Sequence, residues 1–375
     1  MRYALVAPLV APLREPHIGG SQAQFADLAQ ALCARGHEVT LFAHHDSEVP
    51  GVDLERINVP ASVQPTLFSG EQQDEAVGKL TQTRLFFECF LRLQQRRKEF
   101  DLVHIQSFDW PVFAFSQFLS DVPVMHTLQI AAIDPDINQV LHLLHQHGHP
   151  LTLVTVSQAC ARTFAEFTSI DEVIYNGVNC QSIPFMKEVP SDAPLLFAGR
   201  LAPEKGVEEA IKIALQAGRP LLLAGGIYDQ CYFQQIIRPL LRQHSRQLTY
   251  LGQLDRPSLW KLMGQARGLL FPIQWEEAFG LVPVEAMAAG TPVIAFRRGA
   301  VEETILQGVT GFLVEPGDCM QAAALVEKLS SLRRTDCRQH VESRFSLVRM
   351  VDCYEQLYER LRMQRGEYER EGSGV

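Results

Sequence analysis

Gln274-Trp-Glu-Glu-Ala-Phe-Gly-Leu-Val-Pro-Val-Glu-Ala-Met-Ala-Ala-Gly-Thr-Pro-Val-Ile-Ala295 is the stretch whose reading decides the fold. The apolar run just before it, Gly268-Leu-Leu-Phe-Pro272, reads as a buried strand that stops at the proline. A polar loop with Glu276 and Glu277 follows, and Gly280 opens a helix with Pro283 in its first turn. Gly290 ends that helix where a left-handed cap residue would sit, and Val293-Ile-Ala-Phe296 is the next strand. Strand, glycine-bearing turn, helix, strand is an α/β pattern. It aims the free N–H groups of a helix start beyond the strand ends, which suits a phosphate.

Glu277 and Glu285 frame the turn. As a glycosidase acid/nucleophile pair they would need about 5–5.5 Å between them. Eight helical residues alone would separate them by about 12 Å, which favours independent roles. A carboxylate beside an anion site binds hydroxyls, as an acidic residue binds a ribose in dinucleotide folds. A solvated helix-start glutamate favoured by the dipole is the other reading.

The 375 residues are 46% hydrophobic, enough for two domains of ordinary size. A formal net charge of -9 gives no overall attraction to nucleic acid or anionic membrane. The eight cysteines are scattered without any Cys-x-x-Cys, which suggests reduced thiols in a cytoplasmic protein. Tyr3 to Leu13 has the outline of a secretory leader, but Pro8 and Pro12 interrupt it, and it reads instead as a first buried strand. No apolar run reaches the length of a membrane span, so stable membrane insertion is not expected.

In the first half, a strand from Tyr3 to Ala7, a helix from about Gln22 to Ala34 and a strand Glu38–Ala43 form one βαβ unit, so a parallel sheet follows. Gly19-Gly20 lies where a nucleotide-binding fold places its phosphate turn, though it is not Gly-x-Gly-x-x-Gly. The helical stretch from Gln72 to Glu99 carries apolar residues and ends in Arg96, Arg97 and Lys98. Core packing with cations at its C-terminal dipole is preferred over membrane docking. Val122-Pro-Val-Met-His126 reads as a short strand with His126 at its C-terminal end, where ligands bind in α/β sheets. Asp134-Pro-Asp136 is discounted as a metal motif because it lies in a loop before a helix. His142, His145, His147 and His149 read as a solvated helix end. Leu153–Ser157 and Val173–Asn179 are the further strands.

In the second half, Leu195-Leu-Phe-Ala-Gly-Arg-Leu-Ala-Pro-Glu-Lys-Gly206 puts Arg200 and Lys205 on one loop at a strand's C-terminal end. Two cations there suit a diphosphate and any charge that grows on it in a reaction. Strands Pro220–Ala224 and Leu248–Leu254 follow.

Taken together, Glu277-Ala-Phe-Gly-Leu-Val-Pro-Val-Glu285, the Gly199–Gly206 loop and Asn176-Gly-Val178 resemble the family 4 retaining glycosyltransferases. Ala300 departs from the Gly-Gly usual there, whereas Glu303 fits. The resemblance implies a GT-B fold: two facing Rossmann-like domains with parallel sheets and an active site in the cleft between them. The implied domains are an acceptor-side domain 1–187, a nucleotide-sugar domain 188–345, a helix 346–363 crossing back, and a frayed tail 364–375. It further implies metal-independent transfer of a hexose from a nucleotide diphosphate sugar with retained configuration. No cofactor is implied beyond that co-substrate.

Arg200 and Lys205 would hold the diphosphate with the N–H groups of Gly280 and Leu281. Glu285 would bind the ribose, and Glu277 the hydroxyls of the transferred sugar. Leu254 would lie beside the base, and Phe279 would join the donor site. His126 would sit near the sugar's reactive face, and Gly19 and Gly20 would let the first domain close on it. The chain most resembles a bacterial subgroup that includes tetrahydrobiopterin glucosyltransferases. That points to UDP-glucose and a pterin-like small molecule, with a glycan or lipid-linked acceptor as the alternative. A nucleotide-sugar epimerase and a binding protein that has lost its chemistry are the rival readings.

Overall fold

The computed structural model describes residues 1–17, 19–60, 75–149 and 151–372, with the side chains of 75–78 and 365–372 left aside. The segment Gln72–Asp74, read as the start of a helix, lies outside the described residues. Two compact units result. One holds the described residues up to Gly177 together with the last helix (Leu347–Gly372), and the other is Val178–Ser346.

In the first unit seven parallel strands run β1 (Arg2–Val6), β2 (Glu38–His44), β3 (Asp53–Ile57), β4 (Leu102–Ile105), β5 (Val124–Leu128), β6 (Thr152–Thr155) and β7 (Glu172–Val173). Their spatial order is β3-β2-β1-β4-β5-β6-β7. β3 went unread in the sequence, since Asp53-Leu-Glu-Arg-Ile57 has two apolar residues and lies at the sheet's edge. β7 shrinks to two residues, because the chain beyond Val173 leaves β6 and Val178 instead bridges Ser346 in the second unit. Parallel strands buried on both faces read as continuous apolar runs, as β4 does with all four residues buried.

Helix Gly20–Ala34 buries Phe25, Leu28 and Leu32 in the first core, where Met350, Val351, Tyr354 and Tyr358 of the last helix join them. That helix runs on to Gly372, through the charged stretch read as frayed. Helix Glu75–Arg96 buries Leu85, Phe86, Phe90 and Leu93 and leaves Phe87 and Leu91 exposed. Arg92 and Arg96 at its end are paired with Glu55 at 2.7 and 2.9 Å. Asp134 is the N-cap of helix Pro135–Gln146, accepting from the N–H groups of Asp136 and Ile137 at 2.9 and 3.1 Å, so the Asp-x-Asp is a helix start.

The second unit has six parallel strands, β8 (Leu195–Ala198), β9 (Leu221–Ala224), β10 (Leu248–Gly252), β11 (Gly268–Phe271), β12 (Val293–Phe296) and β13 (Gly311–Val314), in the order β10-β9-β8-β11-β12-β13. In each sheet the order reverses once, between β1 and β4 and between β8 and β11. Loops leaving adjacent strands in opposite directions open a crevice at such a switch point, beyond the strands' C-terminal ends.

Candidate active site

The loops after β8 and β11 both leave the sheet at the second unit's switch point. After β8, a 3-10 turn Pro203–Lys205 leads through Gly206 into helix Val207–Gln216. Gly206 is left-handed at φ 72°, and a Cβ there would lie 1.9 Å from the carbonyl oxygen of Pro272. Only glycine lets these two loops approach so closely. A hydrogen bond from Gln274 N–H to the Glu204 carbonyl at 2.9 Å fixes the contact.

This contact brings Lys205 to the acidic loop. Its Nζ lies 3.4 Å from Glu277 Oε2 and 4.3 Å from the Trp275 ring centroid. Trp275 Nε1 donates to the same Glu277 oxygen at 3.0 Å. The Lys205 and Glu277 side chains are only 16% and 14% exposed, so water screens them weakly. Arg200 stacks its guanidinium 4.7 Å from the Tyr228 ring and lies 3.6 Å from Glu204 Oε1. The loop after β12 closes on the site from another side, with Ala300 N–H donating to the Glu277 carbonyl at 2.8 Å.

Gly280, left-handed at φ 87°, starts helix Leu281–Ala288. The first N–H groups of that helix, at Leu281 and Val282, have no acceptor within it, and its dipole adds partial positive charge there. Phe279 is buried against Phe345, with centroids 5.7 Å apart, and anchors the turn rather than facing solvent. Glu285, one turn on, accepts from Trp260 Nε1 at 3.0 Å and lies 3.9 Å from Arg256 Nε. The two glutamates are held by different side chains, Glu277 by Lys205 and Trp275 and Glu285 by Trp260 and Arg256. Trp260, Trp275, Arg256 and Tyr228 were not singled out in the sequence; Trp275 shares the Glu277 loop, whereas Trp260, Arg256 and Tyr228 reach the site through folding. Leu254 is half-buried just beyond β10, and Glu303 is half-buried in helix Val301–Thr304.

The first unit holds the remaining candidates. Gly19 is the N-cap of helix Gly20–Ala34, and its N–H donates to Gln22 Oε1 at 3.2 Å. Gln106, just past β4, donates to the Ser21 carbonyl at 2.8 Å, and Gln129 and Asn176 exchange a buried bond of 2.8 Å. His126 is not at a strand end. It lies in the middle of β5, paired in register with Ile105 and Leu153, because Thr127 and Leu128 are buried and extend the strand. Its ring is 1% exposed, 4.7 Å from the Phe113 ring, and neither nitrogen has a hydrogen-bond partner. Burial pushes its pKa down to about 3.

Among the described residues, His44, His45 and Asp46 are the one group whose ligand atoms lie close enough for a metal. Both rings accept a backbone N–H at Nδ1, from Asp46 and from Val59. That leaves Nε2 protonated in the neutral rings, which disfavours a metal there. The eight cysteines are all free. No described helix is long and apolar enough to cross a membrane.

Residues 18–182 match the family described as Glycosyltransferase Family 4, and residues 185–344 match that described as Glycosyl transferases group 1. The chain is a family 4 glycosyltransferase with a GT-B fold. Among its relatives is the glycogen synthase of Mycobacterium tuberculosis, 28% identical with 93% of this chain and 92% of the relative covered. The sucrose-phosphate synthase of Thermosynechococcus elongatus shares the fold at a TM-score of 0.79 and 21% identity, covering 96% and 98% of the two chains. Anabaena HepE, solved in complex with UDP-glucose, does so at 0.70 and 19%, covering 96% and 99%.

Proposed function

We propose that this glycosyltransferase moves a hexose, glucose first among them, from UDP-glucose to a hydroxyl of a pterin-like small molecule, with retained configuration and no metal. One observation carries the reading. At the β8/β11 switch point, two cations and a helix start converge beside two separately anchored carboxylates.

Arg200 and Lys205 hold the diphosphate with the N–H groups of Gly280 and Leu281. They stabilise the negative charge that grows on it as the bond to the sugar's anomeric carbon breaks. Glu285, steadied by Trp260, accepts from the ribose hydroxyls. Glu277, held by Trp275 and Lys205, accepts from hydroxyls of the moving sugar. Leu254 lies beside the base, and Phe279 keeps the turn in place. On the first unit, the Gly19-Gly20 turn serves the donor, and His126, buried in β5 against Phe113, would act on the sugar's side of the site only from behind that packing. The UDP-glucose named for HepE supports the choice of donor.

The test is nucleotide release from a panel of UDP-, GDP- and ADP-sugars, with and without acceptors including a reduced pterin, run beside Glu285→Ala. Acceptor-stimulated UDP release with a glycosylated product, lost in the variant, is the expected result. Free UDP without a glycosylated product would instead make the protein an epimerase or hydrolase of nucleotide sugars. Absence of any nucleotide binding by calorimetry would end the transferase reading.

A further inference from the structure

The second sheet has another charged face at its opposite end. Arg267 and Pro292 immediately precede β11 and β12, and Arg219 and Ser191 lie two and four residues before β9 and β8, so all four sit toward the strands' N-terminal ends. Arg200, Lys205 and Glu277 lie past the C-terminal ends. Between these residues and the Leu329–Thr335 segment lies an open cavity of about 700 Å³, room for a ligand of nucleotide size.

Five cations line it, Lys187, Arg219, Arg267, Arg333 and Arg334, against two carboxylates, Glu188 and Glu327. Arg333 is also paired with Asp336 at 2.9 Å, which leaves a local excess of two positive charges in a chain whose net charge is -9. Arg219 and Arg267 share one carboxylate, with contacts of 2.8 and 3.1 Å to Glu327. Arg334 is 8% exposed and donates only to neutral acceptors: the carbonyls of Met186, Ala266 and Gly264, and Thr291 Oγ1. Burial without a carboxylate lowers its pKa to about 10. Arg334 also begins helix Arg334–Arg344, whose N-cap, Arg333, offers no side-chain acceptor. A cation at a helix start is placed against the dipole. Buried charge is ordinarily paired, and here Arg334 is a buried cation with no carboxylate of its own, while Arg219 and Arg267 share one.

We propose that this cavity binds a phosphate-bearing small molecule, at a site separate from the donor site. Lys187 and Arg333, both exposed at the rim, would close on the phosphate, while Arg334 and the helix start supply the field behind it. The sugar phosphates, nucleotides and inorganic polyphosphates share this chemistry.

The experiment is calorimetric titration of the full chain with pyrophosphate, tripolyphosphate and glucose 6-phosphate. Each is repeated on Arg200→Ala/Lys205→Ala, which removes the cations proposed for the donor diphosphate. One-to-one binding that persists in that variant, weakens with salt, and weakens at least tenfold in Lys187→Glu/Arg333→Glu is expected. Circular dichroism melting checks the fold of each variant, and Lys187→Gln/Arg333→Gln serves if the glutamates disturb it. Tighter binding of glucose 6-phosphate would assign an organic phosphate, and tighter binding of tripolyphosphate an inorganic one. No binding of any probe, binding lost with Arg200 and Lys205, or binding unchanged by the Lys187 and Arg333 variants would overturn the site. Because the readout is binding, failure of the transfer reaction leaves this test intact.

Discussion

Lys205 is the residue on which the proposed chemistry turns. A cation held against a tryptophan face and a carboxylate is already desolvated and oriented, so little reorganisation is needed as charge develops on a departing diphosphate. Lys205→Ala should slow turnover by roughly 10²–10³, the scale of one lost transition-state contact. Near-normal kcat in that variant would remove Lys205 from the mechanism. Trp275 acts through Glu277 and is a positioning residue. Trp275→Phe keeps a ring under the ammonium but removes the 3.0 Å donor to Glu277 Oε2. A loss of about 1 kcal/mol in transition-state binding, roughly fivefold in kcat/KM, is expected. An unchanged kcat/KM would mean that Glu277 needs no such support. The Trp275 contact lies within one loop and went unread, while the Trp260 contact has no local signal. Arg200, Lys205, Glu277 and Glu285 are recognisable because their loops are local, whereas Trp260 meets Glu285 across 25 residues and two elements.

At the scale of elements, β8 to β12 and helix Leu281–Ala288 follow from their apolar runs and glycine stops, whereas β13 and helices Arg256–Gln265 and Arg334–Arg344 went unread. The sequence reading also missed edges and depths. β3 is an edge strand without a strong apolar pattern, and His126 sits a strand's half-length deeper than expected. Parallel strands carry no alternation to mark where they end, so the register of β5 against β4 and β6 is set by pairing alone. The loop contact at Gly206 can be tested directly. Gly206→Ala sets a methyl against the Pro272 carbonyl at a left-handed φ, and should cost at least about 2 kcal/mol in urea unfolding while also lowering activity. A variant as stable and active as the parent would mean that the β8 and β11 loops are free to part. The last helix is tied to its sheet by polar contacts as well as packing. Tyr358 Oη and Thr127 Oγ1 hold the two nitrogens of His104 at 2.7 and 2.8 Å, and Tyr354 reaches Thr127 at 3.1 Å. Tyr358→Phe leaves one buried ring nitrogen unpaired and should destabilise the protein by about 1–3 kcal/mol, read as a lower urea midpoint at unchanged m. No shift would show that packing alone seats the helix.

For the whole molecule, buried histidines make stability depend on pH. His104 and His126 are both driven by burial from 6.5 to about 3, and at His104 the nearby His126 ring lowers proton affinity further. Folded, they stay neutral, whereas unfolded they bind a proton below 6.5, so between those values the unfolded chain holds more protons. Stability from these groups is complete above pH 6.5 and falls as the pH drops toward 3. From 6.5 to 5 each contributes a loss of about 2 kcal/mol. His340, also lowered by burial, adds in the same direction. Asp109 runs the other way. Burial lifts its carboxyl to about 6, so the folded chain takes up a proton there before the unfolded one does. Its side chain is only half-buried and is bonded to Ser107 and Gln82, so it offsets one part of the loss and not the whole. A net loss of about 3 kcal/mol between pH 7.5 and 5 is expected from urea unfolding at the two pH values. His126, which has no hydrogen-bond partner to lose, separates the contributions. His126→Phe should remove about two-thirds of the net pH dependence without lowering stability at pH 7.5. Equal unfolding free energies at both pH values in the parent would mean that these rings accept protons within the fold, and β5 would then open to water far more readily than its burial implies.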